Sequence, residues 1–258
     1  MRLVLLTEPC ERVVQMVEVL GDNGVPVDAV VLSRPSLLET GRGLVRVLPW
    51  HRILWLAVRR LHAALTAPAS RNWRRPEFYR ARARAGEVIT VPHLNSEQTV
   101  RALKEIGADI GIIGCAGILR PDVFNSFRLG VLNIHPGLIP EYRGRSPVEW
   151  ALLEEGDIGV TLHFIDAGID TGPVVSREHV LLQPGDTIGS VYRRAERIGL
   201  ELLLAALERA RSGVGIPSTR QSASSKPAYS SMPQALVKVA RRRLIRRARV
   251  PAASCRSC

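Results

Sequence analysis

The segment NIHPGLIPEYRGRSP, residues 133–147, places polar side chains directly after an apolar run. Asn133 and His135 are two positions apart, so they lie on the same face of a predicted strand, at its carboxyl end. An amide can donate a hydrogen bond to a developing negative charge, and an imidazole can donate one or move a proton. Without further company, an Asn-x-His pair at a strand end is more often a capping or structural pair.

A second loop, DAGIDTGP, residues 166–173, adds the carboxylates Asp166 and Asp170. A carboxylate that approaches the imidazole could fix its tautomer, although Asp-Thr-Gly-Pro is also a common turn sequence. Between the two loops, Arg143 and Arg145 could hold a phosphate through bidentate hydrogen bonds, but any solvated loop can carry arginines. Spacing alone leaves both interpretations open.

Alternating strand and helix patterns predict the elements that carry these loops. The predicted strands are residues 2–6, 27–32, 87–91, 109–114, 130–135, 159–165 and 172–182. This order predicts an α/β fold with an open, mostly parallel, doubly wound (Rossmann-like) sheet and helices on both faces. Such sheets bind ligands beyond the carboxyl ends of their strands, where proline and glycine can hold the loops rigid.

Local signals predict where three of the helices begin, end or face the core. The signals are a capping box of Asn95 with Gln98 and a stop at Gly107 for one helix, and Ser146, Pro147 and Glu149 at the head of another that ends near Gly156. A third helix is predicted over about residues 187–211, with a buried face of Ile188, Val191, Ile198, Leu202 and Ala205.

The length of 258 residues and the hydrophobic share of 46% predict one main domain with additions. Residues 1–213 are expected to form it, with a basic amphipathic insertion at residues 34–86. Residues 214–258 read as a Ser/Pro-rich and then basic tail, too short for a complete second domain.

The formal charge of +12 favours anionic partners, although an arginine- and alanine-rich chain can be basic through genome composition alone. Residues 237–250 could contact phosphates or could be a solvated tail. Residues 43–65 could form an amphipathic helix on an anionic membrane surface. Packing of that helix on its own domain or on the second subunit of a homodimer is the favoured alternative.

The four cysteines are too few and too scattered for a disulfide framework, and the lone CxxC of Cys255 and Cys258 lacks a second ligand pair for zinc. No signal peptide is visible, and no apolar run approaches about 18 residues. These features predict a reduced, cytoplasmic protein. Cys115 is expected to pack as a small apolar group, and His163 as a hydrogen-bonded core residue.

Taken together in this order, the two loop motifs resemble the catalytic core of the folate-dependent formyltransferases. That family contains methionyl-tRNA formyltransferase, glycinamide ribonucleotide formyltransferase and nucleotide-sugar N-formyltransferases, and the resemblance covers roughly residues 108–204. It implies that Asn133, His135 and Asp170 are catalytic and that 10-formyltetrahydrofolate is the formyl donor, with no metal. It also implies that the pterin pocket is lined by residues of GCAGILRP and DAGID, namely Cys115, Gly117, Ile118, Leu119, Asp166, Gly168 and Ile169.

The loop after the first strand, TEPCER, lacks the glycine-rich phosphate loop of the glycinamide ribonucleotide enzymes. The tail is too short for the C-terminal barrel of the tRNA enzymes. The expected acceptor is therefore an amino sugar on a nucleotide or a similar small amine, with initiator methionyl-tRNA as the alternative. A non-catalytic basic binding protein and a hydrolase that only releases formate stay open as further alternatives.

Overall fold

The computed structural model describes residues 1–34, 86–222 and 226–248. The chain divides into two compact units, residues 2–128 and residues 129–258 together with Met1. The helix proposed over residues 43–65 and the cysteines Cys255 and Cys258 lie outside the described residues.

The first unit contains four parallel strands in the order β3-β2-β1-β4. They are β1 (Leu3–Thr7), β2 (Ala29–Ser33), β3 (Glu87–Val91) and β4 (Ile110–Ile113). The helices are α1 (Glu11–Asp22), α2 (Glu97–Ile106) and the single turn α3 (Pro121–Phe124). Every residue of β1, β2 and β4 is buried, which explains why their sequences are continuous apolar runs rather than alternating ones.

Helix α2 begins one residue later than its sequence signal suggested. Its N-cap is Ser96, whose side chain accepts a hydrogen bond from the backbone N–H of Thr99, and Gly107 ends the helix in the left-handed region as predicted. The side chain of Asn95 bonds elsewhere: it donates to the carbonyl of Ile118 (2.8 Å) and accepts from the N–H of Arg120 (2.8 Å). Asn95 therefore holds the loop that follows β4.

The second unit contains β5 (Gly130–His135), β6 (Gly159–Phe164) and β7 (Val174–His179), which pair in that order. Its helices are α4 (Pro147–Leu153), α5 (Ile188–Arg211) and α6 (Gln234–Ala248). The α/β fold is confirmed, but both strand pairs of this unit are antiparallel. The connection from β6 to β7 is too short for a crossover helix, so β7 has to run back along its neighbour.

Helix α4 lacks the predicted capping box. Ser146 lies in the left-handed region (φ 55°) and makes no side-chain cap. Its hydroxyl oxygen instead accepts a hydrogen bond from the backbone N–H of Met232 (3.2 Å), and the Glu149 carboxylate accepts one from the Tyr192 hydroxyl (2.6 Å). The side chains of Ser146 and Glu149 therefore bond residues far away in the sequence instead of capping α4.

Helix α5 begins at a capping box formed by Thr187 and Ser190. Its buried face differs from the predicted one, since Ala205 is exposed and Leu202 only half-buried. The buried face consists of Val191, Ala195, Gly199, Leu200, Leu203, Ala206 and Leu207. Gly199 sets this rotation, because a Cβ there would lie 2.3 Å from the Cγ2 atom of Ile134 on β5.

Cys10 and Cys115 form a disulfide that joins the loop after β1 to the loop after β4. The expectation that Cys115 is a reduced, apolar packing residue is therefore wrong for this structure. The two residues are 105 positions apart, and parallel pairing of β1 with β4 is what brings them together. Among the described residues, no helix is long and apolar enough to cross a membrane.

Candidate active site

Asn133 and His135 lie at the carboxyl end of β5, on the face predicted from their spacing. Antiparallel pairing places Asn133 opposite His163 and His135 opposite Thr161 on β6. Cross-strand partners share one face of a sheet, so β6 brings a second imidazole beside the Asn133 amide. The side chain of His135 is only 5% exposed, whereas Asn133 is half-buried and remains accessible.

The imidazole of His135 is held through both ring nitrogens. Nε2 lies 2.7 Å from the carbonyl oxygen of Tyr142, which can only accept, so Nε2 carries a proton. Nδ1 faces the Asp170 carboxylate, 3.4 Å from its Oδ2 atom. A proton that arrives at Nδ1 therefore lies between the ring and a carboxylate. An imidazole that takes up a proton at Nδ1 is stabilised by this adjacent carboxylate.

The position of the Asp170 carboxylate depends on its backbone conformation and on a hydrogen bond from the loop of residues 133–147. It lies in the left-handed region (φ 51°), and its Oδ2 atom accepts a hydrogen bond from the backbone N–H of Gly144 (2.8 Å). Burial by itself would raise the pKa of Asp170. Its interactions with His163 and His135 and the hydrogen bond from the Gly144 N–H outweigh this effect and lower that pKa to about 2. Asp170 is therefore a carboxylate at neutral pH.

Glycine is the only residue type that fits at position 144. Its φ is 94°, and a Cβ there would lie 2.3 Å from the carbonyl oxygen of Tyr229. The glycine lets the backbone turn so that its N–H points at Asp170. The loop of residues 133–147 therefore contributes a backbone donor as well as side chains to the site.

His163 is the residue that sequence reasoning placed in the core and missed for the site. It is buried and hydrogen-bonded, as expected, but its partners are site residues. Nδ1 donates to the carbonyl of Phe164 (2.8 Å), which leaves Nε2 to accept from the Asn133 amide (3.1 Å). Nε2 also lies 3.5 Å from Oδ1 of Asp170. Only the antiparallel pairing of β5 with β6, seen in the structure, places it there.

The structure thus brings Asn133, His135 and Asp170 together within the second unit, with His163 between the amide and the carboxylate. One of the two amide hydrogens of Asn133 is donated to His163, and the other is left for a ligand. The set can donate a hydrogen bond to an oxyanion and accept a proton onto an imidazole. These are the two requirements of nucleophilic attack by an amine on a carbonyl-type carbon.

The residues assigned to a pterin pocket divide between the two units. In residues 2–128, Ile118 is 67% exposed, Leu119 is buried, and Gly117 has open space where a Cβ would be. Cys115 is tied to Cys10.

In residues 129–258, Oδ1 of Asp166 accepts hydrogen bonds from the N–H of Gly168 (3.1 Å) and the hydroxyl of Thr171 (2.6 Å). These bonds fold the loop of residues 166–171 on itself. Ile169 is left 46% exposed as an apolar side chain of that loop.

The two arginines beside Gly144 differ in their surroundings. Arg143 donates from Nη2 to the carbonyl of Lys226 (2.7 Å), and its Nε is buried without a hydrogen-bond partner in the described part of the chain. Arg145 is exposed. A search of residues 1–34, 86–222 and 226–248 finds no group of three or more His, Cys, Asp or Glu that could hold a metal ion.

Comparison with known proteins matches this chain to one family. A family model described as formyl transferase matches residues 74–207. Methionyl-tRNA formyltransferase from Syntrophus aciditrophicus is 29% identical over 194 residues, which cover 74% of this chain and 53% of that protein. The chain spans about half the length of the curated relatives it matches.

Solved structures share the fold. Glycinamide ribonucleotide transformylase 1 from Symbiobacterium toebii gives a TM-score of 0.57 at 19% identity, covering 86% of this chain and 95% of that chain. A sugar N-formyltransferase from a Shewanella species gives a TM-score of 0.57 at 17% identity, covering 95% of this chain and 88% of that chain. At these identities the likeness shows the fold, and it confirms the fold predicted from the sequence.

Proposed function

The chain belongs to the formyl transferase family, and we propose that it transfers a formyl group from 10-formyltetrahydrofolate to the amine of a phosphate-bearing acceptor. The observation that carries this proposal is the contact of 3.4 Å between Nδ1 of His135 and Oδ2 of Asp170, beside the accessible amide of Asn133. The catalytic domain expected over residues 1–213 carries all three of these side chains.

Asn133 stabilises the negative charge that forms on the formyl oxygen when the acceptor amine attacks the formyl carbon. One hydrogen of the Asn133 amide is donated to His163. The second hydrogen is the one that binds the oxyanion. A preorganised donor of this kind is worth roughly 3–4 kcal/mol of transition-state stabilisation in a site from which water is excluded.

His135 manages the proton that the attacking nitrogen must lose. The amine nitrogen becomes positively charged on attack, and its proton leaves towards the imidazole, whose Nδ1 faces a carboxylate. Asp170 stays charged and stabilises the imidazolium so formed. The proton is then delivered to the folate nitrogen as its bond to the formyl carbon breaks, which regenerates the imidazole. General acid–base help of this kind contributes about 10²–10⁴ in rate.

The loop of residues 166–171 is suited to contact the donor. A pterin is flat and apolar on its faces and carries hydrogen-bonding groups along its edge. Ile169 offers an exposed apolar side chain, and the fold of the loop on Asp166 leaves its backbone in a fixed shape. Gly117, Ile118 and Leu119 stay predictions for the same role, since they come from the family resemblance.

An anionic group on the acceptor would meet the cations beside Gly144. The exposed Arg145 can bind a phosphate oxygen, and the half-buried Arg143 lies two positions before it. We therefore propose an amino sugar on a nucleotide as the acceptor.

Initiator methionyl-tRNA is the second candidate, because two observations favour it. The curated relatives include methionyl-tRNA formyltransferases. On α6, moreover, Lys238, Arg241 and Arg242 are exposed, and such a face can contact a phosphate backbone. A solvated basic helix remains the plain alternative for that face.

One screen separates these candidates. The protein is incubated with 10-formyltetrahydrofolate and, in separate reactions, with nucleotide-linked amino sugars or charged initiator tRNA, and each acceptor is weighed by mass spectrometry for a formyl increment. The His135→Ala variant is the control. Folate release at equal rates in both proteins would contradict the enzyme proposal, and release of formate without any acceptor would identify a hydrolase.

A further inference from the structure

After α5 the chain returns to the site along residues 214–222 and 226–232, here called the return segment. Thr219 forms an antiparallel bridge with Val174 at the start of β7, with both N–H to carbonyl distances equal to 2.8 Å. Val174 follows the loop that carries Asp170. The bridge therefore fixes the return segment beside that loop.

Two residues later, the side chain of Gln221 binds the loop itself. Its Nε2 donates to the carbonyl oxygens of Asp170 (2.9 Å) and Gly172 (2.7 Å). An amide nitrogen has two hydrogens, so these bonds use its full donor capacity. Gln221 and Asp170 are both half-buried, which keeps water from competing freely for the two carbonyls.

The Asp170 backbone needs such support. Residues other than glycine are strained in the left-handed region, and Asp170 lies there with a φ of 51°. Gly172 lies so close to β6 that a Cβ there would be 1.9 Å from the carbonyl oxygen of Phe164. Gln221 thus forms hydrogen bonds with the strained Asp170 and with the tightly packed Gly172.

The return segment also pairs with the other loop of the site. The N–H of Tyr229 donates to the carbonyl of Arg143 (2.8 Å), and the N–H of Arg145 donates to the carbonyl of Tyr229 (2.9 Å). These bonds flank Gly144, whose own N–H donates to Oδ2 of Asp170. One stretch of chain therefore contacts the backbone on both sides of the Gly144–Asp170 hydrogen bond.

From this geometry we infer that Gln221 is a positioning residue that holds the Asp170 carboxylate against Gly144 and His135. Its side chain donates to backbone carbonyls, so it acts through the backbone of Asp170 and Gly172. The inference rests on the proposed function for its effect on rate, but the effect on the geometry of the site is independent of any substrate.

The test uses Gln221→Glu in the full chain, which keeps the size of the side chain and replaces the amide donor with a carboxylate. A carboxylate repels the two carbonyl oxygens, so the loop should relax. Gln221→Ala is the second variant, since it removes the donor without adding a charge. Gln234→Glu, at the exposed start of α6, makes the matched change away from the site.

The first readout is amide hydrogen exchange of Gly144, measured by NMR without substrate. We expect exchange at Gly144 to rise about tenfold in both Gln221 variants, as fits the loss of a stabilising hydrogen bond. Ile139, whose N–H donates to the Thr161 hydroxyl in the same unit, should be unchanged. A purely global loss of stability would speed both amides alike and would contradict the inference.

The second readout is formyl transfer to the acceptor found in the screen. We expect kcat to fall about 10²-fold in Gln221→Glu, because the Asp170 carboxylate is displaced from His135. Gln234→Glu should behave as wild type. Unchanged Gly144 exchange and unchanged kcat in Gln221→Glu would overturn the inference. Faster Gly144 exchange in a protein that formylates no acceptor would contradict the proposed function and leave the positioning of Asp170 standing.

Discussion

The amide nitrogen of Asn133 lies 3.1 Å from Nε2 of His163, its direct cross-strand partner. Because Nδ1 of His163 donates to the carbonyl of Phe164, the nitrogen that faces Asn133 carries a lone pair. His163 therefore fixes which way the Asn133 amide is turned, and with it the direction in which the second amide hydrogen points.

Replacing His163 with Phe tests this relationship. The ring size is similar, but Asn133 loses its hydrogen-bond acceptor, so its amide is no longer held in one orientation. We expect kcat for formyl transfer to fall about tenfold while KM for the donor stays within about twofold. His179→Phe, at an exposed position on β7, is the matched control. Equal kcat values for His163→Phe and wild type would show that the amide is oriented in some other way.

Replacing His135 with Ala removes the imidazole that faces Asp170. Since general acid–base help contributes about 10²–10⁴ in rate, kcat should fall by that factor. The circular dichroism spectrum should be unchanged, because β5 is held by its backbone ladder to β6. The rate of formyl transfer is measured from the release of tetrahydrofolate. A variant with wild-type kcat would exclude His135 from proton transfer.

The low pKa of Asp170 predicts a pH dependence of stability. The pKa is about 2 in the folded protein and about 3.9 in an unfolded chain, so the charged carboxylate favours folding above about pH 4. This contribution is lost as the pH falls from about 4 to about 2. The difference in free energy of unfolding between wild type and Asp170→Asn, measured in urea, should therefore shrink across that window.

Asp186 provides a control for that experiment. Its hydrogen bond to Arg194 lowers its pKa to about 2 as well, so Asp186→Asn should show the same window. Among the described residues, Asp186 forms its hydrogen bonds with Gln183, Ser190 and Arg194, which lie outside the candidate site, so only Asp170→Asn should also abolish formyl transfer. A constant difference between wild type and Asp170→Asn from pH 7 to pH 2 would contradict the charged state assigned to Asp170.

Gly144→Ala should be more damaging than a glycine substitution in open space. At Gly215 (φ 79°, no neighbour within 4 Å of a built Cβ) alanine meets only the left-handed penalty, roughly 1–2 kcal/mol of unfolding free energy. At Gly144 the new Cβ also collides with Tyr229 and displaces the N–H that binds Asp170. We expect a larger loss of stability and a loss of kcat only at Gly144, measured by urea unfolding and formyl transfer. Equal losses at both positions would disprove the tight packing against Tyr229.

Strand positions were predictable because their apolar runs are local. β3 lies over the residues predicted for it, and β5, which carries Asn133 and His135, ends where its apolar run ends. Spacing placed these two side chains on one face, and the structure places His135 beside Asp170. Their catalytic roles stay predictions.

The errors have a common physical cause, which is the choice of partner far away in the chain. Asn95 and Ser146 have the residue types of helix caps, but Asn95 binds the loop after β4 and Ser146 binds Met232. His163 looked like a core residue because apolar neighbours surround it in the sequence. Only the antiparallel direction of β6, which no local pattern encodes, places it against Asn133.

The family model ends its match at residue 207, whereas Gln221 and Tyr229 grip the two loops from beyond that point. A fragment trimmed to the matched range, or a chimera joined at the end of α5, would therefore carry Asn133, His135 and Asp170 without the segment that contacts their loops. A chimera that keeps these contacts has to include the chain through at least Met232.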